Sequence, residues 1–370
     1  MEEKQDDTYY MKLAIELAKK GTGWVNPNPL VGACIVKDNR VIGQGYHQMF
    51  GGLHAEREAL KHCTQSPKGA TMYVTLEPCC HYGKTPPCTE AIIQSGIKKV
   101  VIGSLDPNER VAGKGIAQLK EHGIDVVTNV CKQQCEALNP VFFHYIQTKT
   151  PYVVMKYAMT LDGKIATYTG ESKWITGEKA REQVHKDRHR YSAIMVGIGT
   201  VLQDDPQLTC RLPNTKQPIR IVCDTTLKIP LTSNVVQTAN QVQTWIATCS
   251  DNIEKKEQLK QYGCRILQFS KEYNTIPLTT LMKQLGEEKI DSILLEGGGT
   301  LNWNALSEGI VNKIQCYIAP KIFGGEMSKT PVGGVGIRNP MEAVSVTNMT
   351  YSTIGEDILL EAEVKKCLQD

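Results

Sequence analysis

Apolar positions along the chain switch between a helical and a strand period, and each switch marks a predicted element. From Tyr9 to Lys20, Tyr10, Leu13, Ala14, Leu17 and Ala18 recur at helical spacing, and Gly21 follows where a helix would stop. An apolar strand is predicted from Val31 to Val36, with Asp38-Asn39 as a hairpin turn into a second strand from Arg40 to Tyr46. A helix over His54 to His62 precedes a β-rich run, Thr71 to Leu76, and a helix opens at Cys88. Strands at Lys98–Gly103 and Ile124–Thr128 flank a helix near Ile116–His122, and one last helix is predicted over Cys131–Tyr145. This βαβ alternation implies a layered α/β domain.

Thr148-Lys-Thr-Pro151 reads as a junction, dividing the chain into domains of residues 1–147 and 148–370. Beyond it, an apolar strand from Tyr152 carries one Lys156 and runs into Leu161-Asp-Gly-Lys164. A charged helix over 178–190, strands at Ala193–Gly197, Ile219–Cys223, Gln243–Thr248 and Arg265–Phe269, and helices at Ile253–Gln261 and Pro277–Leu285 make this half α/β as well. Its tail, Lys313–Pro320 and Ala343–Glu363, reads as strand, ending in an antiparallel pair.

At 370 residues the chain is long for one core, and its 41% hydrophobic content suffices for two. The net charge is +3, without a run of five Lys or Arg, which argues against a binder of nucleic-acid backbone. Thirteen cysteines, an odd number spread from Cys34 to Cys367, point to a reducing compartment. The acidic N-terminus does not read as a signal peptide, and no apolar run approaches the roughly 18 residues that span a bilayer, so a cytoplasmic protein is expected. All eight histidines lie at or before His189, which leaves most of the second half without imidazole chemistry.

The candidate chemistry of the first half lies between His54 and Cys88. His54, Cys79 and Cys88 offer one imidazole and two thiols, the borderline-soft set and the number of ligands of a catalytic zinc site. Glu56, two residues from His54, is placed to move protons without binding the metal. Zinc lowers the pKa of water towards neutrality, and a nearby carboxylate can pass a proton to a leaving amine, which is the chemistry of hydrolytic deamination. The arrangement resembles the zinc-dependent cytidine and nucleobase deaminases, with their H-x-E and P-C-x-x-C, except that eight residues rather than two separate the cysteines. Read as ordinary structure, these would be buried thiols and a surface His, but P-C and P-P-C have no metal-free reason to accompany H-A-E. Asn28, between two prolines, is either a plain turn residue or a substrate contact. Gly113-Lys-Gly115 is a helix lead-in, with a phosphate cradle as the alternative.

In the second half, Glu296-Gly-Gly-Gly299-Thr300 follows a buried strand and precedes a helix, which suits a pyrophosphate seat. Gly197-Ile-Gly199 is a weaker version, lacking the third glycine of a dinucleotide fingerprint. Trp174 is expected in the core, with closure over a planar ring as the alternative.

Taken together, N-P-L-V-G (from Asn28), H-A-E (His54), T-L-E-P-C (Thr75), H-Y-G-K-T-P-P-C (His81), V-A-G-K-G (Val111), L-D-G-K-I-A (Leu161), S-K-W-I-T (Ser172), G-T-V-L-Q-D-D-P (Gly199), L-T-C-R (Leu208) and E-G-G (Glu296) resemble the bifunctional deaminase-reductase family of bacterial riboflavin biosynthesis. The resemblance implies an N-terminal cytidine-deaminase-like three-layer domain and a C-terminal dihydrofolate-reductase-like α/β domain. It implies Zn2+ on His54, Cys79 and Cys88, proton transfer by Glu56, and deaminase substrate contacts from Asn28 and Lys84. For NADPH it implies Ala158, Trp174, Thr200, Asp204, Thr226, Gly298, Gly299 and Thr300; for the reductase substrate, Lys156, Ser172, Arg188, Leu208, Arg211 and Glu296. The implied substrate is a pyrimidine ribosyl phosphate whose ring amine is replaced by oxygen and whose ribosyl group is then reduced to ribityl. A homo-oligomer is expected. Cys80 stands where the family commonly has Ser, and Cys79, directly after Pro78, is the preferred ligand. Glu109-Arg110 departs from the family's D-P-N-P run.

Two other readings remain open. A tRNA or single-strand base deaminase would need a basic groove with stacking aromatics, absent from the expanded loop. A non-catalytic zinc protein would need a fourth tight ligand, such as Cys80 or His81.

Overall fold

The computed structural model describes residues 6–82, 86–108 and 112–365, and every structural statement below concerns these. The chain divides into two compact units, Met1–Lys149 and Thr150–Asp370.

In unit 1 the elements run α1 (Asp7–Lys19), β1 (Gly32–Lys37), β2 (Arg40–Tyr46), α2 (Ala55–Lys61), β3 (Thr71–Leu76), α3 (Cys88–Ser95), β4 (Lys99–Ser104), α4 (Lys114–Glu121), β5 (Asp125–Val127), α5 (Lys132–Leu138) and α6 (Pro140–Thr148). The sheet order is β2-β1-β3-β4-β5, with β1 antiparallel to β2 and β3, and β3, β4 and β5 parallel. Strand alternation splits β1 between two cores. Ala33 and Ile35 pack with Ala55, Ala59, Ile92 and Leu119 of α2, α3 and α4, whereas Cys34 and Val36 pack with α1 and Cys135 of α5. The result is three layers. The Asp38-Asn39 turn has both residues at positive φ, 50° and 60°, as the tight hairpin demands.

Where a single helix is expected over Cys131–Tyr145, two are found, α5 and α6. Pro140 is the cause: it has no N–H for the ladder, so it starts the second helix instead of continuing the first. The freed Asn139 side chain accepts from the Leu30 N–H at 2.7 Å and donates to the Leu30 carbonyl at 2.9 Å, anchoring the Asn-Pro loop.

Unit 2 runs β6 (Tyr152–Thr160), α7 (Glu178–Arg190), β7 (Ala193–Gly197), α8 (Ile198–Asp204), β8 (Ile219–Cys223), α9 (Asn234–Gln237), β9 (Thr244–Thr248), α10 (Ile253–Gln261), β10 (Arg265–Gln268), α11 (Leu278–Glu287), β11 (Ser292–Leu295), α12 (Gly299–Ser307), β12 (Val311–Ala319), β13 (Val346–Ile354) and β14 (Asp357–Val364). Its sheet order is β10-β9-β8-β7-β11-β6-β12-β14-β13, parallel from β10 to β12 and antiparallel at β14 and β13. Near-continuous apolar runs such as Ala193–Val196 are buried, because helices cover both faces. No helix among the described residues is long and apolar enough to cross a membrane.

Candidate active sites

In unit 1, three element ends converge. His54 is the N-cap of α2, Cys79 follows the end of β3 after Pro78, and Cys88 opens α3. Helix α2 can lie this close to β2 because Gly45 has no side chain: a Cβ there would meet the Ala59 nitrogen at 2.3 Å and the Ala55 carbonyl at 2.5 Å. The His54 Nδ1 lies 3.5 Å from the Cys79 Sγ and 3.4 Å from the Cys88 Sγ, and the three ligand atoms fall within 4.8 Å of one another. The donor set is chemically suited to zinc. A hydrogen bond from Cys88 holds the Cys79 thiol well below its ordinary range against the pull of burial, with His54 adding to the effect. The partner Cys88 is pushed up in turn. The pair therefore supplies one thiolate readily, with the second proton to be displaced by a cation. Cys80, the alternative thiol, lies outside this cluster.

Glu56, in the first turn of α2, is 3% exposed and lines a cavity of about 350 Å³ with His54, Cys79, Asn28, Asp106 and Asn108. Burial, then Cys79, raise its carboxyl, so it holds a proton to higher pH than an exposed glutamate. The amide of Asn28 lies 3.1 Å from the Nε2 of His47, whose Nδ1 is 2.9 Å from the Leu53 carbonyl. An amide nitrogen only donates and a carbonyl only accepts, so His47 is a neutral tautomer with its proton on Nδ1. Asn28 is thus a held side chain facing the cavity rather than a bare turn residue. His47, just past β2, was not named from the sequence, and Asp106 and Asn108 were given no role although the Asp-Pro-Asn run was a visible signal. Lys84 and the Glu109-Arg110 departure lie outside the described residues.

In unit 2, the starts of α8 and α12 face a cavity of about 470 Å³ lined by Thr200, Asp204, Gly298, Gly299, Thr300 and Ser172, among others. Ser172 donates to the Asp204 carboxylate at 3.2 Å. A Cβ on Gly299 would meet the Thr330 carbonyl at 2.9 Å and the Gly333 nitrogen at 3.0 Å, so only glycine lets that loop close on the helix start. Cys223, Thr225 and Lys329 also line the cavity and were not foreseen; Thr225 stands there where Thr226 was expected. Ala158 packs with Ala180 and Val184 instead, away from the cavity lining. Trp174 is not core: it is 58% exposed, with the Arg181 guanidinium 4.7 Å from its ring centroid. A cation stacked on an indole offsets that exposure without burial.

A second group gathers at the end of β11. Arg188 grips Glu296 with two bonds, Nε to Oε1 at 2.9 Å and Nη2 to Oε2 at 3.0 Å, and Lys156 stands 3.7 Å from the same carboxylate. Burial pushes Glu296 up, but Arg188 and Lys156 outweigh it and hold the carboxyl at about 2. Arg188 also donates to the Thr209 carbonyl at 3.0 Å, tying down the loop of Leu208 and Arg211. Leu208 is buried at φ 54°. Arg211 donates from Nε to His185 at 3.1 Å. Burial, with Arg188 and Arg211, lowers His185 to about 4, so it accepts as a neutral ring.

The chain matches the cytidine and deoxycytidylate deaminase zinc-binding region over residues 4–104 and the RibD C-terminal domain over residues 151–360. It is 57% identical over 355 residues to the riboflavin biosynthesis protein RibD of Actinobacillus pleuropneumoniae, covering 96% of this chain and 94% of that one. The chain belongs to the RibD family. The RibD of Aquifex aeolicus is 44% identical over 358 residues, covering 96% and 98% of the two chains. Among solved structures, Acinetobacter baumannii RibD superposes with a TM-score of 0.86 at 36% identity, covering 97% and 99%. A Thermotoga maritima diaminohydroxyphosphoribosylaminopyrimidine deaminase/5-amino-6-(5-phosphoribosylamino)uracil reductase does so with 0.83 at 39%, covering the same shares. RibD family membership makes the chain a bifunctional deaminase and reductase of riboflavin biosynthesis, with a zinc-binding cytidine-deaminase-like domain and an NADPH-dependent reductase domain.

Proposed function

We propose that the substrate is 2,5-diamino-6-(ribosylamino)-4(3H)-pyrimidinone 5'-phosphate, deaminated in unit 1 and then reduced from ribosyl to ribityl in unit 2. The observation that carries the first step is a three-ligand N/S cluster opening on a cavity that also holds a buried, ligand-free Glu56. Bound zinc would supply an activated water. Glu56 takes a proton from the attacking side and returns it to the departing amine, while Asn28, fixed by His47, orients the ring; Lys84 stays assigned to the substrate by family resemblance alone. In unit 2, the glycine turn at Gly298–Thr300 offers backbone N–H groups to the cofactor's pyrophosphate, and Thr200, Asp204 and Ser172 line the same cavity. Lys156, Arg188 and Glu296, joined as one ion-paired group, are assigned to the sugar phosphate by family resemblance, with Leu208 and Arg211 on the loop that Arg188 ties down. Trp174, Ala158 and Thr226 remain assigned to the cofactor by family resemblance alone.

A homo-oligomer is favoured by β13, an edge strand exposed almost throughout, with Tyr351 at 83% and Met349 at 61% exposure. The small net charge of +3 favours a free small molecule over nucleic acid, and the cysteine usage favours the cytoplasm. Mass spectrometry of purified protein with the pyrimidine phosphate tests the scheme. Without NADPH the product should have exchanged an amine for oxygen; with NADPH it should also gain two hydrogens. An unchanged substrate in both arms would contradict it.

A further inference from the structure

The Cys79 ligand is delivered by Glu77-Pro78, and Glu77 has no assigned role. It is 3% exposed, and its backbone N–H is bonded to the Ser104 carbonyl at the end of β4. Its carboxylate faces the first turn of α4. Oε2 accepts from the Gly113 N–H at 3.0 Å and Oε1 from the Ile116 N–H at 3.3 Å. A helix start presents N–H groups with no partner inside the helix and a partial positive charge, both of which a carboxylate satisfies. The protein's own carboxylate thus fills the seat that Gly113-Lys-Gly115 would otherwise offer to a phosphate.

Two further contacts link α4 to the surroundings of the ligand. A Cβ on Gly115 would meet the Pro78 carbonyl at 2.3 Å and the Glu77 Oε1 at 3.2 Å, so α4 is pressed against the peptide that leads into Cys79. Gln118, one turn along α4, accepts from the buried Thr89 hydroxyl at 2.7 Å, and the Thr89 N–H donates to the Cys79 carbonyl at 3.2 Å. Helix α4, which contributes no ligand, therefore braces the Cys79 segment from one side at Pro78 and, through Thr89 of α3, from the other.

We infer that Glu77 is a positioning residue for the metal centre: it docks α4 on the Pro78-Cys79 segment and so sets how firmly the cluster retains zinc. This rests on the zinc assignment above. Groups that orient metal ligands without touching the metal typically change affinity by about 10–100-fold when removed. Gln at this position keeps the shape but offers one acceptor oxygen where the carboxylate offers two.

The full-length chain with Glu77→Gln, and separately Gly115→Ala, is loaded with zinc and challenged with the chelator pyridylazoresorcinol. The same variants are loaded with Co2+ and their visible spectra recorded. Both are expected to release zinc about 10-fold faster or more, to shift the Co2+ bands and to lower deaminase kcat, with reductase activity unchanged. A residue that only caps α4 would lower the melting temperature and leave the release rate and the Co2+ bands at wild-type values; that result overturns the proposal. If Glu77→Gln does not fold, Gly115→Ala alone decides by the same readouts. A wild-type chain that binds no zinc overturns the zinc assignment and this inference together, whereas a zinc-replete wild type with unchanged variants overturns the inference alone.

Discussion

Glu56→Gln is expected to release ammonia roughly a thousandfold more slowly than the wild type, within the range contributed by a general acid–base group. The change is nearly isosteric, and Glu56 stands on a helix start fixed against Gly45, so the cavity should keep its form. Zinc content should be unchanged, because the three ligand atoms come from His54, Cys79 and Cys88. Reduction of the already deaminated pyrimidine should proceed at the wild-type rate, since that chemistry lies in the other unit. Ammonia release, bound metal and NADPH oxidation measured on one preparation check all three expectations. Near-wild-type ammonia release would remove Glu56 from its role.

Arg188→Met should be strongly damaging to unit 2. Arg188 and Glu296 side chains are 14% and 13% exposed, and removing one partner of a buried pair strands the other charge. A loss of about 3–5 kcal/mol is expected, or roughly 10 °C in melting temperature. Reductase KM should rise as well, because the same guanidinium holds the Thr209 carbonyl and with it the loop carrying Arg211. The pH dependence follows from Glu296, held down at about 2. A depressed carboxyl contributes stability that is complete above its unfolded value, near 4.5, and is lost as pH falls towards 2. In Arg188→Met, burial is opposed only by Lys156 and the weaker influence of His185, and the carboxyl rises, so acid relieves part of the defect. The stability gap between variant and wild type should narrow as pH is lowered from 7 to 4. A gap independent of pH would show that the pair is not what Arg188 contributes.

Much of this architecture was legible because it depends on local pattern. The Thr71–Leu76 strand, the Glu178–Arg190 helix and the Cys88 helix start fall where periodicity and turn residues put them. The metal cluster was legible because the residue types are rare together, whatever their separation in the chain. What escaped depended on packing at a distance. Pro140 was visible, but reading through it merged two helices. Trp174 was assigned to the core from its size, yet a stacked Arg181 keeps it at the surface. His47 became meaningful only once the fold brought it to Asn28, and the bond between Arg188 and Glu296 spans 108 residues. Glu77 looked like part of a motif, and its partners on α4 lie 36 and 39 residues away. Strand order, which no period encodes, was beyond the sequence altogether.

His54, Cys79 and Cys88 alone are expected to hold zinc and to leave one position open for water. Zinc-edge X-ray absorption on the purified full-length chain tests it most directly. About one zinc per chain is expected, with two sulfur neighbours at ~2.3 Å and two lighter atoms at ~2.0 Å, one of them exchanged when a substrate analogue displaces solvent. Three sulfur neighbours, a fourth protein ligand in place of solvent, or no zinc at all would contradict it.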